Sequence, residues 1–189
     1  MDPLAVFFSR YPGLEYNPSE SAPLEFDRLC TTEKMVLGEW KRHKAYMAFH
    51  HALTQQFNAN YGTDADSLRS WKLLCLHIGI SPLPRTLEER RKAVMQAHIN
   101  LVDLVDAFGT GRLVKAFRTG KALREYSWRT GKYFPRDDKD AGDLLKYLQR
   151  RDLLDVPDII AGDRPVPVGR TERRAEEGLK KRRTDNGEN

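Results

Sequence analysis

The sequence predicts an all-α fold, arranged as a single compact multi-helix domain with an extended amino-terminal arm and a disordered carboxyl-terminal tail. Apolar residues recur three and four positions apart along several stretches of the 189 residues, which is the period of a helix. No stretch alternates apolar and polar residues between hairpin turns, so strands are not required. The composition divides the chain into an arm over 1–24, a helical domain over 25–160 and a charged tail over 161–189.

The composition is typical of an intracellular protein that does not enter a membrane. Charged residues make up 31% of the chain, and the mean hydropathy is −0.65. The first ten residues lack the basic start and the cleavage site of a secretory signal. Cys30 and Cys75 are too few and too far apart to form a disulfide framework. We therefore expect a nuclear or cytoplasmic location and no membrane partner.

The amino-terminal arm is predicted from aromatic residues that alternate with prolines and a glycine over 7–18. Exposing so many aromatic rings to water is unfavourable, so we expect the arm to pack across the helical body. A free recognition segment is the alternative. The aromatic residues concerned are Phe7, Phe8, Tyr11 and Tyr16.

The first two helices of the domain are predicted from apolar spacing and glycine stops. One begins at about Glu33 or Glu39 and ends before Gly62, and the next follows the polar segment over 63–66 and ends at Gly79. Their predicted core faces are Tyr46, Phe49, Leu53 and Phe57 in the first, and Leu68, Trp71, Leu74, Cys75 and Ile78 in the second.

A third, central helix is predicted from a capping box at Thr86 and Glu89, and it runs to Gly109. Within it, Asp103 and Asp106 lie one turn apart in an apolar stretch, so they require partners if they are buried. Arg112 or another following base is the expected partner. An active site built from His98 and the two aspartates is the alternative.

Two short helices over 112–118 and 121–129 and a final helix over 138–151 complete the predicted domain. In the final helix Leu144, Leu145 and Leu148 are expected to face inward. Beyond Gly162 the chain has too few large apolar residues to offset the entropy of ordering.

The positive charge is concentrated between Thr110 and Arg136, where eight basic residues and one acid give a formal charge of +7. Aromatic residues lie among these bases, and this combination can neutralise phosphates and stack on nucleotide bases. A solvated basic face is the alternative. The candidate anion-binding residues are Arg112, Lys115, Arg118, Lys121, Arg124, Trp128, Arg129, Lys132, Tyr133 and Arg136.

The basic segment contains a short repeat, Phe117-Arg118-Thr119-Gly120-Lys121 and Trp128-Arg129-Thr130-Gly131-Lys132. A Thr-Gly turn beside a cation can receive a phosphate at the start of a helix. The same glycines are also ordinary helix ends.

A second basic cluster, Lys180-Lys181-Arg182-Arg183, suits importin recognition or nonspecific contact with nucleic acid. The sequence predicts no cofactor and no metal site. His43, His50 and His51 share a helix without an acidic or cysteine ligand at a recognisable spacing. The acidic residues Asp137, Asp138, Asp140 and Asp143 are interpreted as helix caps.

Two motifs resemble a family of small, uncharacterised fungal proteins. They are Phe57-Asn58-Ala59-Asn60-Tyr61-Gly62-Thr63-Asp64 and His98-Ile99-Asn100-Leu101-Val102-Asp103-Leu104-Val105-Asp106. The likeness covers about Phe7 to Leu148. It implies a fungal source and one compact unit, and it transfers no activity, ligand or catalytic residue.

The sequence therefore predicts a non-enzymatic, intracellular helical module that binds another macromolecule. DNA or RNA is the first candidate partner, bound through the segment over 112–136. The alternative is a protein-interaction adaptor, in which the aromatic arm and the basic face meet an acidic partner.

Overall fold

The computed structural model describes residues 2–136 and 138–149, and these residues confirm the all-α fold. The elements in chain order are α1 (Pro3–Phe8), α2 (Ala22–Thr32), α3 (Trp40–Tyr61), α4 (Leu68–Ile78), α5 (Leu87–Gln96), β1 (His98–Ile99), α6 (Leu101–Ala107), β2 (Ala116–Phe117), α7 (Gly120–Thr130) and α8 (Asp143–Gln149). The predicted tail and the cluster Lys180, Lys181, Arg182 and Arg183 lie outside the described residues.

The long helix α3 lies at the centre of the fold and contacts α1, α4 and α6. Its core face carries Phe49, Leu53, Phe57 and Tyr61, all buried and four residues apart, as the helical period requires. The Tyr61 hydroxyl donates to the Leu104 carbonyl oxygen at 3.0 Å. This bond fixes α6 against α3 from within the core.

The amino-terminal segment is partly helical, which corrects the prediction of an extended arm over 1–24. Asp2 caps α1 by accepting from the Ala5 backbone N–H at 2.9 Å, and Pro3 occupies the first helical turn. Residues 9–21 have turns and no regular structure, and α2 then begins at Ala22. Phe7 and Phe8 are buried in the main core.

The predicted central helix is interrupted after Gln96, although its capping box is confirmed. Thr86 Oγ1 accepts from the Glu89 N–H at 3.2 Å, and the Glu89 carboxylate accepts from the Thr86 N–H at 3.1 Å. The chain then becomes extended at β1, which pairs antiparallel with β2. Asn100 starts α6 by accepting from the backbone N–H groups of Val102 and Asp103. The extended pairing and the new cap stop one continuous helix from forming.

The predicted helix over 112–118 does not form, because Ala116–Phe117 is strand β2 in register with Ile99 and His98. The predicted helix over 121–129 is confirmed as α7. The last helix begins at Asp143, five residues later than predicted, since residues 138–142 form a loop against α3. Its inward residues Leu144, Leu145 and Leu148 are buried, as expected.

Candidate nucleic-acid interface

Helix α7 carries the candidate interface and lies at the periphery of the fold. None of its described side chains is buried, and it contacts the small sheet β1–β2. Polar contacts hold it in place: Asn100 Nδ2 donates to Ser127 Oγ and to the Lys132 carbonyl oxygen, both at 2.9 Å. The Tyr126 hydroxyl donates to Asp103 at 3.2 Å. One face of α7 is therefore anchored and the opposite face remains in solvent.

The two copies of the repeat mark opposite ends of α7. In the first copy Thr119 is the N-cap, and its hydroxyl accepts from the Ala122 N–H at 3.2 Å. In the second copy Gly131 ends the helix with a left-handed φ of 67°. The phosphate-binding interpretation thus applies only to the first copy, and the helix-end interpretation only to the second.

Most of the predicted binding residues are exposed, but three are not. Arg124 and Tyr133 are half-buried, and both contact other groups of the protein. Lys132 is drawn inward by two carboxylates. The exposed members of the set are Arg112, Lys115, Arg118, Lys121, Trp128, Arg129 and Arg136.

We call Arg118, Lys121, Trp128 and Arg129 the α7 face. Lys121 and Trp128 are seven residues apart, so they lie on the same side of the helix. Trp128 is 58% exposed, which is unusual for the largest apolar side chain. Glu125, the one acid in the sequence between Thr110 and Arg136, is exposed and lies one turn from Lys121 and from Trp128, while the segment as a whole carries an excess of positive charge.

Lys115 is a further exposed cation, next to strand β2, which contacts α7. Its ammonium lies 5.1 Å from the centre of the Phe117 ring, within the range of a cation–π contact. The Phe117 ring in turn contacts Tyr126, with 4.8 Å between the ring centres. This arrangement joins strand β2 to the anchored side of α7 and leaves Lys115 exposed.

Lys132 belongs to a partly buried ionic cluster and not to the exposed surface. Its ammonium pairs with Asp103 Oδ1 at 2.5 Å and with Asp106 Oδ2 at 3.1 Å. All three side chains are at most 16% exposed. Burial lowers the pKa of Lys132. The Asp106 and Asp103 carboxylates together raise it by more than burial lowers it, so the net pKa lies above its ordinary value of 10.5. An ammonium held in this way is not available to a phosphate.

The cluster confirms the prediction that the two aspartates are paired, with Lys132 in place of Arg112. Asp106 also caps α2, because its oxygens accept from the Ala22 N–H at 3.0 Å and from the Ser21 hydroxyl at 2.6 Å. His98 lies in β1, and within residues 2–136 and 138–149 no hydrogen bond joins it to either aspartate. Among the described residues, the two aspartates are paired with Lys132 and not with the histidine of the alternative active site.

Two further surface features are not among the predictions made from the sequence. One is an exposed apolar ridge formed by Val36, Leu37 and Trp40, of which Trp40 is 75% exposed. The other brings His51 against Asp138 and Asp140, which are 87 and 89 residues away in the chain. The ridge lies where α3 begins, and the histidine contact requires the loop before α8 to pack on α3.

Comparison of the chain with models of protein families, with curated proteins and with solved structures finds no match in any of the three. The likeness to small fungal proteins stays a prediction. In the part of the chain that the structure describes, no helix is both long and apolar enough to cross a membrane.

Proposed function

We propose that the protein binds single-stranded nucleic acid through the α7 face. The observation that carries this proposal is the exposure of Trp128 on the same side of α7 as Lys121. An exposed aromatic ring among cations can stack on a base while the cations neutralise the flanking phosphates. The stack requires an unpaired base, which favours a single strand over a duplex.

The dimensions of α7 suit a short stretch of a strand. Seven residues of helix separate Lys121 from Trp128 by about 10 Å along the axis, so one ligand of a few nucleotides can contact both side chains. Arg118 and Lys121 flank the positive end of the helix dipole, where a phosphate is favoured. Arg112 and Lys115 are further exposed cations of the same segment. Lys132 takes no part, since its charge is neutralised within the protein.

Replacing Trp128 with alanine is expected to weaken binding to a fluorescent oligothymidine by about 5- to 150-fold, because base stacking contributes roughly 1–3 kcal/mol. The triple variant R118Q/K121Q/R129Q is expected to reduce the dependence of log K on log salt by about 2, at roughly 0.7 for each phosphate contact to a single strand. Fluorescence anisotropy at several salt concentrations measures both effects.

The matched control is Trp40→Ala, which removes another exposed tryptophan outside the basic segment. It is expected to bind the oligonucleotide like the unaltered protein. An equal loss of oligonucleotide affinity in the Trp40 and Trp128 variants, or an affinity that does not depend on salt, would exclude the α7 face as the contact.

A protein-interaction adaptor is the second candidate function, with a different contact from the predicted aromatic arm. Phe7 and Phe8 are buried and cannot meet a partner. The exposed ridge of Val36, Leu37 and Trp40 favours this function, because apolar patches of this kind are typical of protein contacts. A protein partner that binds the unaltered protein and Trp128→Ala, but not Trp40→Ala, would support the adaptor function.

A further inference from the structure

The imidazole of His51 lies between two carboxylates of the loop over 138–142, which we call the acidic loop. Its Nδ1 is 3.3 Å from Asp138 Oδ2, and its Nε2 is 3.4 Å from Asp140 Oδ2. One potential ligand atom of each residue lies within 4.8 Å of those of the other two. His51 and Asp140 are 38% and 46% exposed, so an ion from solvent can reach them.

The acidic loop is held in this position by contacts that do not involve the imidazole. Asn58 Nδ2 donates to the Asp140 carbonyl oxygen at 2.8 Å, and the Asp140 N–H donates to Asp138 Oδ1 at 2.9 Å. Gly142 lies so close to the chain just after α3 that an added Cβ would be 2.6 Å from Thr63 Cβ. Asp138 and Asp140 are therefore positioned by the loop and do not cap α8, which corrects their interpretation as helix caps. Asp143 lies in the first turn of α8, as predicted, and Asp137 lies outside the described residues.

A neutral imidazole cannot satisfy both carboxylates, because it carries one N–H and one lone pair. The Gln55 side-chain amide lies 2.9 Å from His51 Nε2, and with its nitrogen on that side it donates to the Nε2 lone pair, which leaves the proton on Nδ1. The Nδ1–H then donates to Asp138. The Nε2 lone pair and the anionic oxygen of Asp140, 3.4 Å apart, are then both electron-rich, and either a second proton on the imidazole or a metal ion between them relieves this repulsion.

We propose that His51 and Asp140 bind a divalent transition-metal ion, with Asp138 positioning the imidazole and zinc as the ion that fits best. Zinc bonds to imidazole nitrogen and carboxylate oxygen are about 2.0–2.2 Å, so the two ligand atoms of a tetrahedral site lie roughly 3.4 Å apart. A carboxylate that accepts from the second ring nitrogen is the usual partner of a metal-bound histidine.

The remaining coordination positions are open to water and to the Gln55 side chain. A half-turn of the Gln55 amide exchanges its nitrogen for its oxygen and places a third ligand beside the ion. His51 and Gln55 also line a cavity of about 270 Å³ between α1 and α3, to which Arg10 contributes a cation. Zinc sites with open positions are those that exchange small ligands.

The test is titration of the full chain with zinc chloride against a chromophoric chelator. The unaltered protein is expected to bind one equivalent. His51→Ala and Asp140→Asn are expected to lose this binding, and Asp138→Asn is expected to weaken it by about 10- to 100-fold, as for residues that orient a ligand. Cobalt substitution gives an independent visible spectrum that should vanish in the same variants.

The matched controls are His43→Ala and Asp143→Asn, which remove an exposed histidine of α3 and an exposed aspartate of α8 outside the cluster. Both are expected to bind zinc normally. Equal zinc binding in the His51, Asp140 and control variants, or no saturable binding in the unaltered protein, would overturn the site. Asp140→Asn is expected to bind the oligonucleotide like the unaltered protein, since Asp140 is not part of the α7 face.

Discussion

Replacing Lys132 with methionine is expected to lower the free energy of unfolding by about 3–5 kcal/mol, the usual cost of removing one partner from a buried ion pair. Asp103 and Asp106, at 13% and 16% exposure, would keep two carboxylates without a counter-ion. Loss of these ion pairs would affect helices α6, α2 and α7, because Asp106 of α6 also caps α2 and Asp103 of α6 accepts from Tyr126 of α7. Urea unfolding followed by circular dichroism measures the change.

Two variants complete this experiment. Lys121→Met removes an exposed lysine from α7 and is expected to change stability by no more than about 0.5 kcal/mol. The triple variant K132M/D103N/D106N removes the uncompensated charges and is expected to recover part of the loss. Equal stability of the Lys132 and Lys121 single variants would contradict the buried cluster.

The same cluster predicts a loss of stability at alkaline pH. The folded-state pKa of Lys132 lies above 10.5, so its ion pairs stabilise the fold fully below pH 10.5 and are lost as the pH rises through the raised pKa. Burial raises the pKa of Tyr61 and Tyr126, which adds an alkaline loss of its own. The difference between the pH profiles of the unaltered protein and Lys132→Met reports the lysine together with its coupling to Tyr126, and parallel profiles would contradict its role.

Replacing Phe8 with alanine is expected to lower the free energy of unfolding by about 3–5 kcal/mol, as for other buried aromatic residues. Phe8 is fully buried; its ring stacks on Tyr16 at 4.4 Å and meets Phe7 edge-on at 4.9 Å. It also lies 6.2 Å from Phe49 of the central helix α3. The substitution would therefore open a cavity where the amino-terminal segment joins the main core.

The matched control for Phe8 is Leu24→Ala, since Leu24 is a 50% exposed residue of α2. Its stability is expected to stay within about 0.5 kcal/mol of the unaltered protein. If Phe8→Ala were equally mild in urea unfolding, the amino-terminal segment would be a dispensable arm and not a part of the core.

Part of the candidate interface could be predicted from the sequence because it depends on one helix. The Thr119 cap, the Gly131 stop and the seven-residue spacing of Lys121 and Trp128 are local signals, and α7 follows them. The loss of Lys132 from this surface was not predictable, since its position in the sequence is equivalent to that of Lys121. Its partners lie 26 and 29 residues earlier, on a different helix.

The sequence by itself determined the elements whose ends and faces depend on neighbours within a few turns. These include the capping box at Thr86, the inward leucines of α8, and helix α4 with buried Cys75, although Leu68 of its predicted core face is 46% exposed. Hydrogen bonds to a cap and the period of a helix act over three to seven residues, so a linear pattern contains them.

Only the tertiary structure decided which charged and aromatic groups are available to a partner. Pairing of β1 with β2 interrupts the predicted central helix, and burial makes Phe8 a core residue. Ion pairs with two aspartates remove Lys132 from the exposed surface. Packing of the acidic loop on α3 brings His51 to Asp140. Each outcome depends on contacts between residues far apart in the chain, because burial and charge pairing act through space and leave no fixed spacing in the sequence.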